Sequence, residues 1–180
     1  MTPKGRDTVN DAPRFEVVPP ETLLRLELWG DGACARLEDE FASPLPTINR
    51  AETLQGLRVI WREPSVWLVR GPRALRDELV ARMGAAAGRD GAVFDVSGAA
   101  MRCRLRGPDW RILLTYGGVF DIENPTFSTG WVAGTLIEHF AVRIDVIDDC
   151  QADVYVAPSY ASDLVDYWSR VAGTLDVTGR

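Results

Sequence analysis

The apolar positions along this chain switch several times between a two-residue and a roughly four-residue period, with glycine or proline at most of the switches. Leu23 to Trp29 reads as a first strand, turned by Gly30-Asp31-Gly32. A-S-P-L-P-T-I-N at 42 to 49 is extended, because proline disfavours helix at the residue before it. Leu57 to Trp61 and Val66 to Val69 are short β-rich runs around R-E-P-S, a hairpin signal. Gly71-Pro72 then opens a helix, since proline suits the first helical position. Leu75, Leu79 and Met83 recur every four residues as its apolar stripe, and the helix fades in the glycine-rich stretch 84 to 91.

The second half repeats the alternation. Ala92 to Val96 and Met101 to Arg106 read as strands, and Gly107-Pro108 opens a helix with Trp110, Leu113 and Leu114 inward. Gly117-Gly118 ends that helix. A loop leads to strands at Trp131 to Glu138, Phe140 to Ile147 and Asp153 to Val156, with Val142, Ile144 and Val146 on one face and a turn at 148 to 151. Ala157-Pro158 opens the last helix, with Ser159 as its cap and Asp163 in its first turn. Its core stripe is Leu164, Tyr167 or Trp168, Val171 and Leu175. The strand, small residue, proline, helix junction thus occurs three times. Proline there starts a helix abruptly, so the junctions read as architecture. Binding of an anion at these helix starts is the weaker reading, because proline removes a donor. The expected fold class is α+β, with antiparallel or mixed sheets carrying helices on one side.

Residues 1–20 are polar and proline-containing and read as a flexible N-terminal arm; 21–176 form one domain, and 177–180 a tail. With 180 residues, 46% of them hydrophobic, the chain can bury a substantial core. A net charge of −6 argues against nucleic acid or an anionic membrane as partner. No stretch is apolar enough to span a bilayer, and the N-terminus lacks the apolar core of a signal peptide, so the cytoplasm is expected.

Chemistry is sparse. Cys34, Cys103 and Cys150 are widely spaced, without a C-x-x-C, and describe neither a disulfide framework nor a zinc site; Cys103 reads as a buried thiol. The single histidine, His139, belongs to no H-E-x-x-H, and no G-x-S-x-G accompanies it. It reads as a turn or surface residue, and a small enzyme built on His139 is the third reading in rank. Asp145, Asp148, Asp149 and Asp153 read as a solvated acidic turn without the calcium-loop pattern. Asp95 and Asp121 are candidate general bases with no visible partner. Of the six tryptophans, Trp110 and Trp168 fit helix core positions. No catalytic, cofactor-binding or metal-binding residue is assigned.

Five stretches, taken in order, resemble the gamma subunit of heterotetrameric sarcosine oxidase. They are P-L-P-T-I-N at 44 to 49, L-R-V-I-W-R-E-P-S-V-W-L-V at 57 to 69, D-V-S-G-A-A-M-R-C-R-L-R-G-P-D at 95 to 109, Y-G-G-V-F-D-I at 116 to 122, and V-A-P-S-Y-A-S-D-L-V-D-Y-W at 156 to 168. The resemblance spans about 40 through 172. R-L-x-G-P is shared with the broader glycine-cleavage T-protein-like folate proteins. The chain departs from the family where G-P-D-E-W becomes E-P-S-V-W at 63 to 67, where Cys-Pro becomes Gly118-Val119, and where the arginine after V-P is lost near Pro158. These departures suit a divergent member serving a related demethylase. The resemblance implies an aminomethyltransferase-like domain without its own cofactor. FAD, FMN, NAD and tetrahydrofolate would be held by partner subunits, and the partners implied are larger alpha and beta flavoprotein subunits and a small delta subunit. The assembly would oxidise sarcosine or a related N-methyl amine and pass the one-carbon unit to tetrahydrofolate. A stand-alone folate-binding or one-carbon transfer domain is the alternative, and it would need a carboxylate such as Asp95 or Asp121 to reach the pterin.

Overall fold

The computed structural model describes residues 14–119, 121, 122 and 124–178. The elements follow in order: β1 (Arg14–Val17), β2 (Thr22–Leu28), α1 (Asp31–Phe41), β3 (Ala51–Leu54), β4 (Leu57–Glu63), β5 (Val66–Gly71), α2 (Arg76–Ala87) and β6 (Gly91–Asp95). Then come β7 (Met101–Arg106), α3 (Trp110–Thr115), β8 (Val132–Ile137), β9 (Phe140–Asp148), β10 (Gln151–Val156) and α4 (Ala161–Thr178). One sheet has the order β3-β4-β5-β2-β6 and the other β8-β9-β10-β7-β1, all paired antiparallel. The fold is α+β, as expected.

The two orders are the same order. Each half of the chain runs strand, strand, helix, three strands, helix, with β6 to α4 repeating β1 to α2. The leading strand of each half is exchanged. β1 pairs with β7 of the second half, and β6 pairs with β2 of the first. The equivalent starts of β3 and β8 are also stitched together. Ala51 N–H donates to the Gly130 carbonyl at 2.8 Å, and Val132 N–H to the Asn49 carbonyl at 2.9 Å. Gly130 sits at φ +78 with the Ala51 carbonyl so close that a Cβ there would crowd it.

Helices cover the outer face of each sheet. Leu24, Leu26, Leu28, Leu57, Val59 and Val69 alternate toward α1 and α2, which supply Ala33, Leu37 and Phe41, and Leu79, Met83 and Ala87, every fourth residue in each case. Cys103, Leu105, Val142, Ile144, Val146, Ala152, Val154 and Val156 face α3 and α4, which supply Trp110, Leu113, Leu114, Leu164, Trp168 and Val171. Burial pushes the Cys103 thiol up to about 11, so it is an inert core group at neutral pH.

The inner faces of the two sheets meet each other. Part of that contact is apolar, with Leu23, Ala51, Ile60, Leu68, Val132 and Tyr155. The rest is ionic. Arg58 and Arg70 are cross-strand neighbours in one sheet; Asp145 and Asp153 are cross-strand neighbours in the other. Each like-charge pair would be unfavourable alone. Arg58 and Arg70 neutralise the two aspartates from the facing sheet, and Arg102 and Arg104 of β7 add to this around Asp153 from within its own sheet. Arg58 grips Asp145 with two parallel bonds, Nε to Oδ2 at 3.0 Å and Nη2 to Oδ1 at 2.5 Å. Arg70 Nη1 donates to Asp153 Oδ2 at 2.7 Å, Arg102 Nη1 to the same oxygen at 2.8 Å, and Arg104 Nε to Oδ1 at 2.9 Å. Both aspartates are 0% exposed. Burial pushes the Asp145 carboxyl up despite Arg58. Burial would raise Asp153 too, but Arg104, Arg102 and Arg70 together hold it below the ordinary carboxylate range.

Several expectations need correction. The reading of Asp145 and Asp153 as part of a solvated turn fails, since their strand alternation points them between the sheets; Asp148 and Asp149 are exposed as expected. The arm reading fails from residue 14 onward: β1 is a strand of the second sheet, and the Phe15 ring packs on Trp168 with centroids 5.9 Å apart. Residues 1–13 of the arm lie outside the described residues. Where Asp31-Gly32 reads as a turn, α1 forms instead, closed by Ala42 in the left-handed region at φ 51 rather than by a glycine. β3 also went unread. Leu75 is 38% exposed, because it belongs to a 3-10 turn (Arg73–Leu75) that precedes α2. That helix ends at Ala87, inside the stretch 84 to 91 where its end is expected, with Gly88 at φ 60 closing it. Ser159 lies inside another 3-10 turn (Pro158–Tyr160) with no side-chain cap. Trp168, not Tyr167, fills the core of α4; the Leu175 side chain and residues 179 and 180 lie outside the described residues.

Two outcomes follow. Phe15→Ala destabilises the fold by about 2 kcal/mol in urea unfolding, roughly half the loss of a fully buried ring; no loss would return the segment to a loose arm. Asp153→Asn costs about 3–5 kcal/mol at neutral pH, since it leaves buried guanidiniums without their counter-charge. The Asp153 carboxylate stabilises fully above its unfolded value near 3.8, and that contribution disappears as pH falls through its lower folded value. The gap between wild type and Asp153→Asn therefore narrows below about pH 4 in an unfolding series over pH.

Candidate functional site

The crossings of the exchanged strands open one large cavity. The β1–β2 linker, 18–21, and the β6–β7 connector, 96–100, pass side by side there. Val18 N–H donates to the Arg102 carbonyl, and Val96 N–H to the Leu23 carbonyl, each at 2.9 Å. Between them lies a cavity of about 680 Å³, within the range of small-molecule sites. Its apolar walls include Val17, Pro19, Pro20, Met101 and Pro158. Its charged lining is four arginines, Arg70, Arg73, Arg76 and Arg102, against two carboxylates, Glu21 and Asp95. The chain as a whole carries −6, so positive charge is concentrated here against the overall sign.

Two of the three proline junctions border this cavity. Gly71-Pro72 contributes the flanking Arg70, Arg73 and Arg76; Ala157-Pro158 contributes Tyr155 and Pro158. Thr22 Oγ1 donates to the Pro72 carbonyl at 3.2 Å and ties the first junction to β2. Pro108 is not in the lining. The junctions are architecture, as expected, and what they present to the cavity is chiefly arginine side chains rather than helix starts.

The arginines are not equivalent. Arg70 and Arg102 descend into the ionic centre, where both meet Asp153. Glu21 Oε2 bridges the same two guanidiniums, at 2.6 Å from Arg102 Nη2 and 3.4 Å from Arg70 Nε. Arg76 Nε donates to Asp95 Oδ2 at 2.5 Å. Arg73 is exposed, and among the described residues its guanidinium has no hydrogen-bond or ion-pair partner.

Asp95 does have partners, contrary to expectation. Its Oδ1 accepts from the Ser97 hydroxyl at 2.6 Å and the Ser97 N–H at 2.9 Å. These bonds, with Arg76, hold the Asp95 carboxyl down at about 2, too acidic for a general base near neutral pH. The Ser97 hydroxyl is also fully engaged, accepting from Leu23 N–H at 3.0 Å while donating to Asp95. Tyr155 takes a 2.5 Å bond from Arg70 Nη1, and burial holds its phenol well above the usual range, so it stays neutral. Asp121 lies in the exposed loop after α3, outside the cavity.

His139 is exposed in the β8–β9 turn, as expected. Its ring lies 4.0 Å from that of Phe140, with Glu138 at 3.9 Å. The hollow around it is lined by Asp163, Asp166, Tyr167 and Arg170 as well as Glu138, and offers no serine or cysteine nucleophile. Among the described residues, no three His, Cys, Asp or Glu side chains come together as a metal site. Among the described residues, no helix is long and apolar enough to cross a membrane.

Sequence reasoning missed Arg58, Arg70, Arg102 and Arg104 altogether. Their signal was present: each stands in a short strand whose neighbouring positions are apolar, as in L-R-V-I and R-C-R-L.

No protein-family model and no curated protein matches this sequence. Solved structures do match its fold. One is a chain of the heterotetrameric sarcosine oxidase from Corynebacterium sp. U-96, solved in complex with pyrrole 2-carboxylate. It is 19% identical, with a TM-score of 0.82 over 91% of this chain and 85% of that one. Another is the glycine cleavage system aminomethyltransferase T from Bartonella henselae, 14% identical with a TM-score of 0.66 over 87% of this chain. Only 45% of the aminomethyltransferase is covered, so this chain spans less than half its length. The chain therefore has the fold shared by a sarcosine oxidase chain and part of aminomethyltransferase T, the fold its sequence motifs led one to expect.

Proposed function

We propose that this chain is the gamma-type, non-catalytic subunit of a heterotetrameric sarcosine-oxidase-like complex. That complex oxidatively demethylates sarcosine or a related N-methyl amine and passes the one-carbon unit to tetrahydrofolate. The observation that carries the proposal is the near end-to-end match to one chain of heterotetrameric sarcosine oxidase, set against a match to less than half of the aminomethyltransferase. A chain of matching extent favours the role of a small subunit over that of a trimmed enzyme. The cavity chemistry supports it: Asp95, Ser97 and Tyr155 are each held in a state unsuited to proton transfer at neutral pH. Exposed Trp29, Ile48 and Val119, at 64, 66 and 71% exposure, offer apolar surface for larger partner chains. In this reading FAD, FMN, NAD and tetrahydrofolate belong to partner chains, and larger alpha and beta flavoprotein chains and a small delta chain complete the tetramer.

A second reading, a stand-alone folate-binding domain, draws support from the cavity and from the likeness to aminomethyltransferase T. It is weakened by the positions of Asp95, already locked to Arg76 and Ser97, and Asp121, outside the cavity.

Affinity purification of the tagged chain from its native cells separates the two. The expected eluate contains larger chains, a flavin absorption spectrum and amine-dependent oxygen consumption. A lone, colourless chain would sink the subunit proposal. Saturable tetrahydrofolate binding by that lone chain would establish the second reading.

A further inference from the structure

One arginine of the cavity lining has no counter-charge of its own. Arg70, Arg102 and Arg104 share two carboxylates, Asp153 and Glu21. Arg76 is matched by two carboxylates, Asp95 and Asp77, and Arg73, which is exposed, has no partner among the described residues. The surroundings are partly desolvated: the Arg70 and Arg102 side chains are 14% and 8% exposed. Arg73 thus brings a guanidinium without an internal counter-charge to a space whose deeper arginines are partly desolvated, and an anion entering there meets a charge-assisted donor.

Glu21 shows which anion the site is shaped to take. Its carboxylate reaches Arg102 and Arg70 from a loop stiffened by Pro19 and Pro20, and it is one-third exposed to the cavity. A planar carboxylate is thus already accommodated by these two arginines, with Arg73 lining the same space. The opposite character of the walls, Val17, Pro19, Pro20, Met101 and Pro158, calls for an apolar body on the anion.

We propose that this cavity binds a small carboxylate with an apolar body. Its carboxylate is held by Arg73 and competes with Glu21 for Arg102 and Arg70, and its body lies against the proline and methionine wall. The proposal does not rest on the subunit reading.

The test uses the full-length chain, alone or in the complex it purifies with, and isothermal titration calorimetry. The probes are benzoate, phenylacetate and hexanoate, with their neutral amides and inorganic phosphate as controls. Saturable one-site binding of at least one carboxylate is expected, with none for its amide and weaker binding for phosphate. Arg73→Gln weakens that binding about tenfold, as loss of one charge-assisted bond does. Glu21→Gln strengthens it, by removing the internal competitor. Both side chains reach solvent, so circular dichroism and the thermal midpoint serve to show that each variant is folded. No binding by any carboxylate, equal binding by the amides or phosphate, or an unchanged affinity in folded Arg73→Gln would each overturn the proposal.

Discussion

Two arginines facing two aspartates hold this molecule's middle together. Each sheet alone would place like charges side by side, Arg58 beside Arg70 in one and Asp145 beside Asp153 in the other. Neither sheet can bury that face alone without a large desolvation cost. Brought together, the charges satisfy one another through paired, short bonds, and the small apolar cluster beside them closes the contact. The ionic centre also fixes how the sheets are placed, because a bidentate arginine tolerates little sliding. A greasy interface would be as stable and less particular about register.

The cavity is a by-product of the same arrangement. Exchanging β1 and β6 between the halves requires two linkers to cross at the rim of the sheet pair, and the crossing leaves a gap that side chains line but do not fill. Arg70 and Arg102 belong both to the buried centre and to the lining of that gap. What occupies the gap is therefore coupled electrostatically to what holds the sheets.

Much of the framework was legible in the sequence. Strands at 57 to 61, 66 to 69 and 101 to 106 showed themselves by alternation, and Trp110, Leu113 and Leu114 by helical spacing. The failures have physical causes. Gly30-Asp31-Gly32 carries the composition of a turn, and only tertiary burial of Ala33, Leu37 and Phe41 makes the following residues a helix. Asp145 and Asp153 read as solvated because a carboxylate in isolation should be; their arginine partners come from strands distant in sequence, which no local pattern reveals. The duplication was half visible. Each half makes two strand-to-helix turns, but the first, at Gly30-Asp31, lacks the proline of the other three, so four equivalent corners read as three repeats of one junction. Cys103 and His139 were read correctly because burial within a strand and exposure in a hairpin turn are local properties.

The exchange of leading strands also sets the order in which the chain can be completed. As it is synthesised, β1 emerges first, yet its partner β7, with Arg106 opposite Arg14, emerges only after the whole first half. The first half likewise waits for β6 to seal its own sheet beside β2. Neither half is finished without a piece of the other, so the nascent N-terminal half holds an open β2 edge until translation moves past its midpoint. Long-range closure of this kind slows folding and leaves edge strands uncovered meanwhile. What looks like two domains in the diagram of connections is, in time, a single unit that closes from both ends at once.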